Sequence, residues 1–163
     1  MVSKYEYVES KVKELGFNIT SKDFNRPWGG FLVIEETQSK EFIECFFKNI
    51  DMNLISKGLK LSPKILIVKP NSRLSWQYHF RRSEIWKVYE GKVAVVRSDS
   101  DHENPQVTFS KDSLITLKQG ERHRLIGLKD YGIVAEIWQH TDVNNPSNEE
   151  DIVRVQDDYG RQT

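Results

Sequence analysis

The chain has 163 residues and a mass of 19.1 kDa, enough for one domain whose core needs no cross-link merely to fold. Lys and Arg total 24 and so do Asp and Glu, a balance that argues against a partner recognised through its nucleic-acid phosphates. Aromatic residues, at 11%, are too many for a disordered chain, and no apolar run reaches the roughly 18 residues that span a bilayer.

Residues 1–6 carry no apolar signal core, and the single cysteine, Cys45, excludes an internal disulfide, so a cytoplasmic protein is expected. Tyr5, Val8, Val12 and Leu15 recur at steps of three and four, which predicts a helix that Gly16 stops. A second helix is predicted over 39–48. Phe42 with Phe46, and Ile43 with Phe47, pair there at i,i+4, Ser39 is placed to cap it, and Cys45 reads as core. The centre then changes to short runs separated by Gly, Pro, Asn and Asp. Strands are predicted over 64–69, closed by Pro70 and Asn71, and over 74–79 and 84–89, the latter ending in a turn at Glu90 and Gly91. Residues 92–97, 106–109, 113–117, 123–126 and 132–139 continue the series, with 127–132 reading as a hairpin turn. A loop over 141–147 leads to a charged segment over 149–161. Strands at this even spacing predict an all-β sandwich or barrel.

The four histidines are His79, His102, His123 and His140. Gln77 and His79 are two apart, so on a strand they share a face. Glu84 opens the next strand and His123 enters a later one. One amide oxygen, two imidazoles and one carboxylate suit a divalent transition metal. Taken singly, each reads equally as a surface or satisfied core residue, and Glu84 as a partner of Arg82. His102 lies in a loop expected to face solvent, and Trp28 and Trp86 read as core anchors.

The spacing Gln77-x-His79, Glu84, Gly91, followed by Gly120-x-x-His123, resembles the two motifs of the cupin superfamily, with Gln in place of the first His. Arg26-Pro27-Trp28-Gly29, the run from Lys64 to Pro70, and Leu74-Ser75-Trp76-Gln77-Tyr78-His79 with Arg82, Glu84 and Trp86 resemble boxes of the type II phosphomannose isomerases. So do His123-Arg124-Leu125, Glu136-Ile137-Trp138-Gln139, and Glu150-Asp151-Ile152-Val153-Arg154 with Asp157-Asp158-Tyr159-Gly160-Arg161. The resemblance implies a double-sheet jelly-roll barrel with short N-terminal and peripheral helices. It implies a single cupin domain over 1–163: a helical or edge segment over 1–25, the barrel over 26–140 and a tail over 141–163. It implies one divalent metal ion, zinc foremost and otherwise Mn, Fe, Co or Ni, held by Gln77, His79, Glu84 and His123. The implied activity is aldose–ketose isomerisation of a sugar phosphate, mannose 6-phosphate to fructose 6-phosphate. The alternatives are a non-catalytic metal cupin that binds sugars, or a metal cupin of another activity such as an oxygenase. Ile85 stands where the family has His, and 140–148 departs from the family's stretch.

Isomerisation through an enediol needs an oxyanion stabiliser and a group that carries a proton between neighbouring carbons. Glu136 is the candidate base, with a structural partner for a nearby Arg as the other reading. Ser75, on the face of Gln77, reads equally as a sugar contact or a satisfied core serine. Lys64 is a candidate substrate contact or a solvated lysine. Arg82 and Arg124 are candidates for binding phosphate or steadying the enediolate, although strict alternation turns Arg124 away from His123. Arg154 and Arg161 lie among Asp151, Asp157 and Asp158 and read as a surface ion-pair network or a docked tail. The expected partners are a small sugar phosphate and, because jelly rolls of this size expose sheet edges, a second copy of the chain in a homodimer.

Overall fold

The computed structural model describes residues 1–162, which fold as two antiparallel sheets backed by two helices. Helix α1 (Lys4–Glu14) precedes strands β1 (Ile19–Arg26) and β2 (Gly29–Ile34), and α2 (Ser39–Phe46) follows. Then come β3 (Lys64–Val68), β4 (Trp76–Tyr78), β5 (Arg82–Glu90), β6 (Val93–Ser98) and β7 (Val107–Phe109). Strands β8 (Leu114–Leu117), β9 (Arg122–Gly127), β10 (Gly132–His140) and β11 (Val153–Gln156) complete the described chain. One sheet runs β1-β2-β3-β10-β5-β8 and the other β11-β4-β9-β6-β7. Facing each other, they form the expected double-sheet jelly roll.

Alternation along β3 and β10 explains their nearly continuous apolar runs. Ile65 and Ile67 of β3, with Ile133, Ala135 and Ile137 of β10, face the helix side and join Phe42, Phe46 and Phe47 in one buried cluster. Leu66, Val68 and Val134 face inward and pack with Trp86, Val88, Val93 and Leu125 between the sheets. Ile85 joins the first cluster and Trp86 the second, so the family's His position points away from the barrel interior. Lys64 and Glu136 therefore fall on the inner face of otherwise apolar strands.

The helices cover the six-stranded sheet. A capping box starts α1: the Glu6 amide donates to Ser3 Oγ at 3.1 Å and the Ser3 amide to Glu6 Oε2 at 3.0 Å. Val8 and Val12 are buried, and Gly16 ends the turn at φ +96°. In α2, the Phe42 and Phe46 rings pack tilted at 45° with centroids 4.7 Å apart, and Phe17 sits 5.5 Å from Phe46. Ser39 does not cap α2. It is the first helical residue, and its hydroxyl donates to the Glu36 carbonyl at 2.6 Å, joining α2 to a preceding 3-10 turn. Cys45 is half-buried at the cluster's edge rather than in the core.

Two further expectations are corrected. Residues 127–132 do not make a hairpin, because β9 and β10 lie in different sheets and the segment carries the chain between them. Strands β1, β2 and β11 lie outside the predicted series, so residues on both sides of 26–140 contribute to the sheets. A tight turn at Pro27-Trp28 joins β1 and β2, with Arg26 opposite Gly29. Gly29 adopts φ +146°, and a Cβ there would lie 1.9 Å from the Ile67 carbonyl oxygen, so only glycine fits the close approach of β2 to β3. No helix among the described residues is long and apolar enough to cross a membrane.

Candidate active site

Residues directly opposite on antiparallel strands share a face, and two such rows line one end of the barrel. Across the five-stranded sheet, Arg154 lies opposite Gln77, and Gln77 opposite His123. Across the six-stranded sheet, Lys64 lies opposite Glu136 and Glu136 opposite Trp86, with Trp138 opposite Glu84 one step along. Gln77, Glu84, Glu136, Lys64, Arg82 and Trp138 contribute to a cavity of about 110 Å³ between the rows.

The nitrogens and oxygens of His79, Glu84 and His123 converge within 4.8 Å of one another, and all three residues are buried. Backbone carbonyls fix both imidazole tautomers. His79 Nδ1 donates to the Asp151 carbonyl at 2.7 Å and His123 Nδ1 to the Glu121 carbonyl at 3.0 Å. Each ring therefore turns an Nε2 lone pair inward. His123 Nε2 lies 3.2 Å from Glu84 Oε1, yet neither atom has a hydrogen-bond partner among the described residues. Two lone pairs at that separation, out of water, repel unless a cation lies between them. The donor set and these orphaned atoms fit a divalent metal ion.

Gln77 stands beside the triad, its Nε2 3.4 Å from His79 Nε2, while its oxygen accepts from Ser75 Oγ at 2.6 Å. A half-turn of the amide would present the oxygen to the triad instead. Burial pushes His79 down to about 3 against the pull of the Glu84 carboxylate, with Arg82 adding to the push, so the ring is neutral and able to ligate. Burial, the largest single influence, would raise Glu84, but the Arg82 guanidinium, His79 and His123 together outweigh it and hold the carboxyl well below the usual range.

Glu136 is in the opposite condition. Burial, followed by repulsion from Glu84, lifts its carboxyl to about 8 despite the nearby Lys64 and Arg82. The Trp86 indole donates to one carboxyl oxygen at 2.8 Å and the Trp138 indole to the other at 2.9 Å. Trp86 is core and also orients this group. Two buried carboxyls in one cavity are thus driven apart, Glu84 ionised and Glu136 holding a proton at neutral pH.

Arg82 lies flat on Trp138, its guanidinium carbon 3.6 Å from the ring centroid. It reaches Glu84 Oε2 at 3.3 Å, His79 Nε2 at 3.2 Å, Ser147 Oγ at 2.8 Å and the Asn148 carbonyl at 3.2 Å. Lys64 Nζ sits over Trp138 and is paired with Glu149. Ser75 is fully buried behind Gln77. Arg124 is placed apart from this group. Its neighbours His123 and Leu125 take the inner face, and its guanidinium donates to the Leu74 carbonyl, Glu103 and Gln156. The alternation along β9 makes it a staple for the tail, away from the reacting centre.

The tail over 147–156 contributes most of what sequence reasoning missed. Asp151 is buried, with its carboxylate accepting from the Phe80 amide at 3.0 Å, the Arg81 amide at 3.0 Å and Ser147 Oγ at 2.6 Å. Its own carbonyl holds His79. The His140 ring accepts from the Ser147 amide at 2.9 Å and donates from Nε2 to Ser62 Oγ at 3.0 Å, anchoring the segment that departs from the family. Burial, with Arg82 nearby, lowers His140, which favours the neutral ring this arrangement needs. His102 is exposed, as expected.

A family model described as mannose-6-phosphate isomerase C-terminal matches residues 46–157. The xanthan biosynthesis protein XanB of Xanthomonas campestris pv. campestris strain B100 is 29% identical over 162 residues, covering 98% of this chain and 28% of XanB. XanB of a second strain is 28% identical over the same extents. The chain thus spans under a third of the length of these curated relatives. Among solved structures, the capsular polysaccharide assembling protein CapF from Staphylococcus aureus superposes with a TM-score of 0.54 at 13% identity, over 86% of this chain and 34% of that one. At that identity the likeness shows the fold alone.

Proposed function

Because the chain belongs to the mannose-6-phosphate isomerase C-terminal family of cupins, we propose that it is a metal-dependent aldose–ketose isomerase interconverting mannose 6-phosphate and fructose 6-phosphate. One observation carries the reading: Glu136, a buried carboxyl lifted to about 8, opens into the same cavity as Gln77 and the ionised Glu84 of the metal-binding cluster. A proton carrier whose pKa lies near neutrality is what transfer between adjacent carbons requires.

In this reading His79, Glu84 and His123 hold the ion, and Gln77 joins them after its amide turns. Zinc is the first choice, with Mn, Fe, Co or Ni accepting the same donors. When bound, the ion supplies Lewis acidity toward the oxygens on the first two sugar carbons. The chain's residues do the rest. Glu136, oriented by two indoles and near enough to its pKa of about 8 for a minor fraction to be ionised at neutral pH, takes the proton from one carbon in that carboxylate form and returns it to the neighbour as an acid. Lys64 and Arg82 contact sugar oxygens, and Ser75 positions Gln77. Trp138 and Trp86 line the cavity and exclude water from the enediolate. Each proton removed is returned to the sugar or exchanged with solvent, so no oxidant is needed.

The test is conversion of mannose 6-phosphate by protein stripped with a chelator and then reloaded. The reading expects ketose formation to vanish on stripping and return with zinc or a related divalent ion. Metal-loaded, folded protein that forms no ketose contradicts it and supports a sugar-binding module instead.

A further inference from the structure

The cavity between the sheets is smaller than the reaction needs. At about 110 Å³ it falls well short of the roughly 300 Å³ at which pockets for small molecules begin, so part of its lining must give way before a six-carbon sugar enters. Glu149 is the exposed residue of that lining, its side chain 58% open to solvent, whereas the others are buried or half-buried. Yet its carboxylate reaches inward and pairs with the Lys64 ammonium, whose side chain is only 8% exposed.

The two partners differ in freedom. Lys64 opens β3 opposite Glu136, and its Nζ lies 4.2 Å from the Trp138 ring centroid and 5.2 Å from that of Phe31, so two aromatic faces hold the ammonium in place. The backbone around Glu149 is tied down as well. Arg82 donates to the Asn148 carbonyl at 3.2 Å, and the Asn148 side-chain oxygen accepts from the Glu150 and Asp151 amides at 3.0 and 3.1 Å. The Glu149 side chain is what is left to move. Its carboxylate has no second hydrogen-bond or ion-pair partner among the described residues, and a change of its staggered torsions carries it into water without disturbing the chain. For Glu149 that exchange is nearly even, because a carboxylate in solvent is well hydrated. Lys64 is the partner that loses, as a buried ammonium without an acceptor until another oxygen takes the place. Opening therefore weakens the apparent affinity of any ligand that enters by the stability of the closed pair.

We propose that Glu149 is the gate of this cavity and a determinant of substrate affinity: its carboxylate holds the position on Lys64 that a sugar oxygen takes, so Glu149 and the substrate compete for one ammonium. The gate belongs to the same site as the proposed isomerisation and rests on that reading for the identity of its ligand. Removing the carboxylate frees Lys64 before the ligand arrives. Binding should then tighten, a direction that a damaged cavity wall does not produce.

The experiment titrates 1,5-anhydromannitol 6-phosphate into zinc-loaded protein by calorimetry. This probe keeps the ring and phosphate of mannose 6-phosphate but lacks the anomeric hydroxyl and does not isomerise. Glu149→Gln and Glu149→Ala are each expected to bind it about fivefold more tightly than wild type, the worth of an ion pair with one partner in solvent. The KM for mannose 6-phosphate should fall by the same factor. Metal affinity, read by competition with a coloured chelator, should stay at the wild-type value, because Glu149 touches none of the ligating residues. Probe affinity that is unchanged or weakened in both variants overturns the gate, as does a probe that binds none of the three proteins. The gate and the isomerase reading fail separately. Ketose formation with probe affinity unmoved by either substitution removes the gate and keeps the isomerase. Tightened probe binding with no ketose formed by any of the zinc-loaded proteins does the reverse.

Discussion

Replacing Asp151 with Ala should weaken metal binding even though Asp151 touches no ion. Its carboxylate is the acceptor for two successive amides, Phe80 and Arg81, both at 3.0 Å, and for Ser147 Oγ at 2.6 Å. Those amides belong to the turn that leaves His79, and the Asp151 carbonyl is what holds the His79 ring at 2.7 Å. Removing the carboxylate leaves two partly buried amides without their acceptor, at about 1–3 kcal/mol each when water cannot replace it fully. A loss of about 2–4 kcal/mol in unfolding free energy is therefore expected. The His79 ring, no longer fixed from behind, should cost the site about 10- to 100-fold in metal affinity, the usual effect of losing a partner behind a ligand. Chelator competition measures the affinity and urea denaturation the stability. Asp151→Asn keeps one acceptor oxygen and should fall between the two. A folded Asp151→Ala protein that binds zinc within about twofold of wild type refutes the reasoning.

Gly29→Ala should be severely destabilising, because its Cβ would lie 1.9 Å from a backbone oxygen with φ at +146°; a melting temperature unchanged from wild type counts against the described β2–β3 approach. Glu136 gives a pH dependence of defined sign. Its folded pKa of about 8 is above the usual carboxyl value, so its stabilising contribution is full below about 4.5 and lost as pH rises to 8, at about 1.4 kcal/mol per unit. Metal-free wild type should lose denaturant resistance across that window, and Glu136→Gln should abolish that part of the slope; equal slopes in both proteins contradict the assignment. Strand β1 is a sheet edge with several exposed residues, a surface suited to a second copy, so sedimentation should give twice 19.1 kDa, and a single-chain mass argues against the homodimer.

Part of the candidate metal cluster was legible because its spacing is local, whereas His123, 39 positions after Glu84, was reached only through the family resemblance. Gln77 and His79 share a face by period two, and a turn then returns Glu84 to their neighbourhood. Lys64 and Glu136 were named within boxes that carry the family resemblance, and the structure sets both on the inner face of strands that are otherwise apolar on both sides. Arg124 illustrates the same rule in reverse, since alternation from His123 already turned it outward. What escaped depends on contacts between distant residues. Asp151 reaches across about 70 positions to cap the turn after His79, and nothing in its own charged stretch marks it as buried. Strands β1 and β11 are polar edge strands whose pairing is set by neighbours rather than by their own pattern. The 127–132 segment has the length and composition of a hairpin, but a change of sheet is invisible to turn chemistry.

The measurement that bears most directly on metal-dependent isomerisation is solvent deuterium entering recovered mannose 6-phosphate. Zinc-loaded wild type in heavy water should place deuterium at the second sugar carbon and form fructose 6-phosphate. Chelated protein and Glu136→Gln should do neither. Zinc-loaded wild type that returns mannose 6-phosphate free of deuterium and forms no ketose would contradict the account.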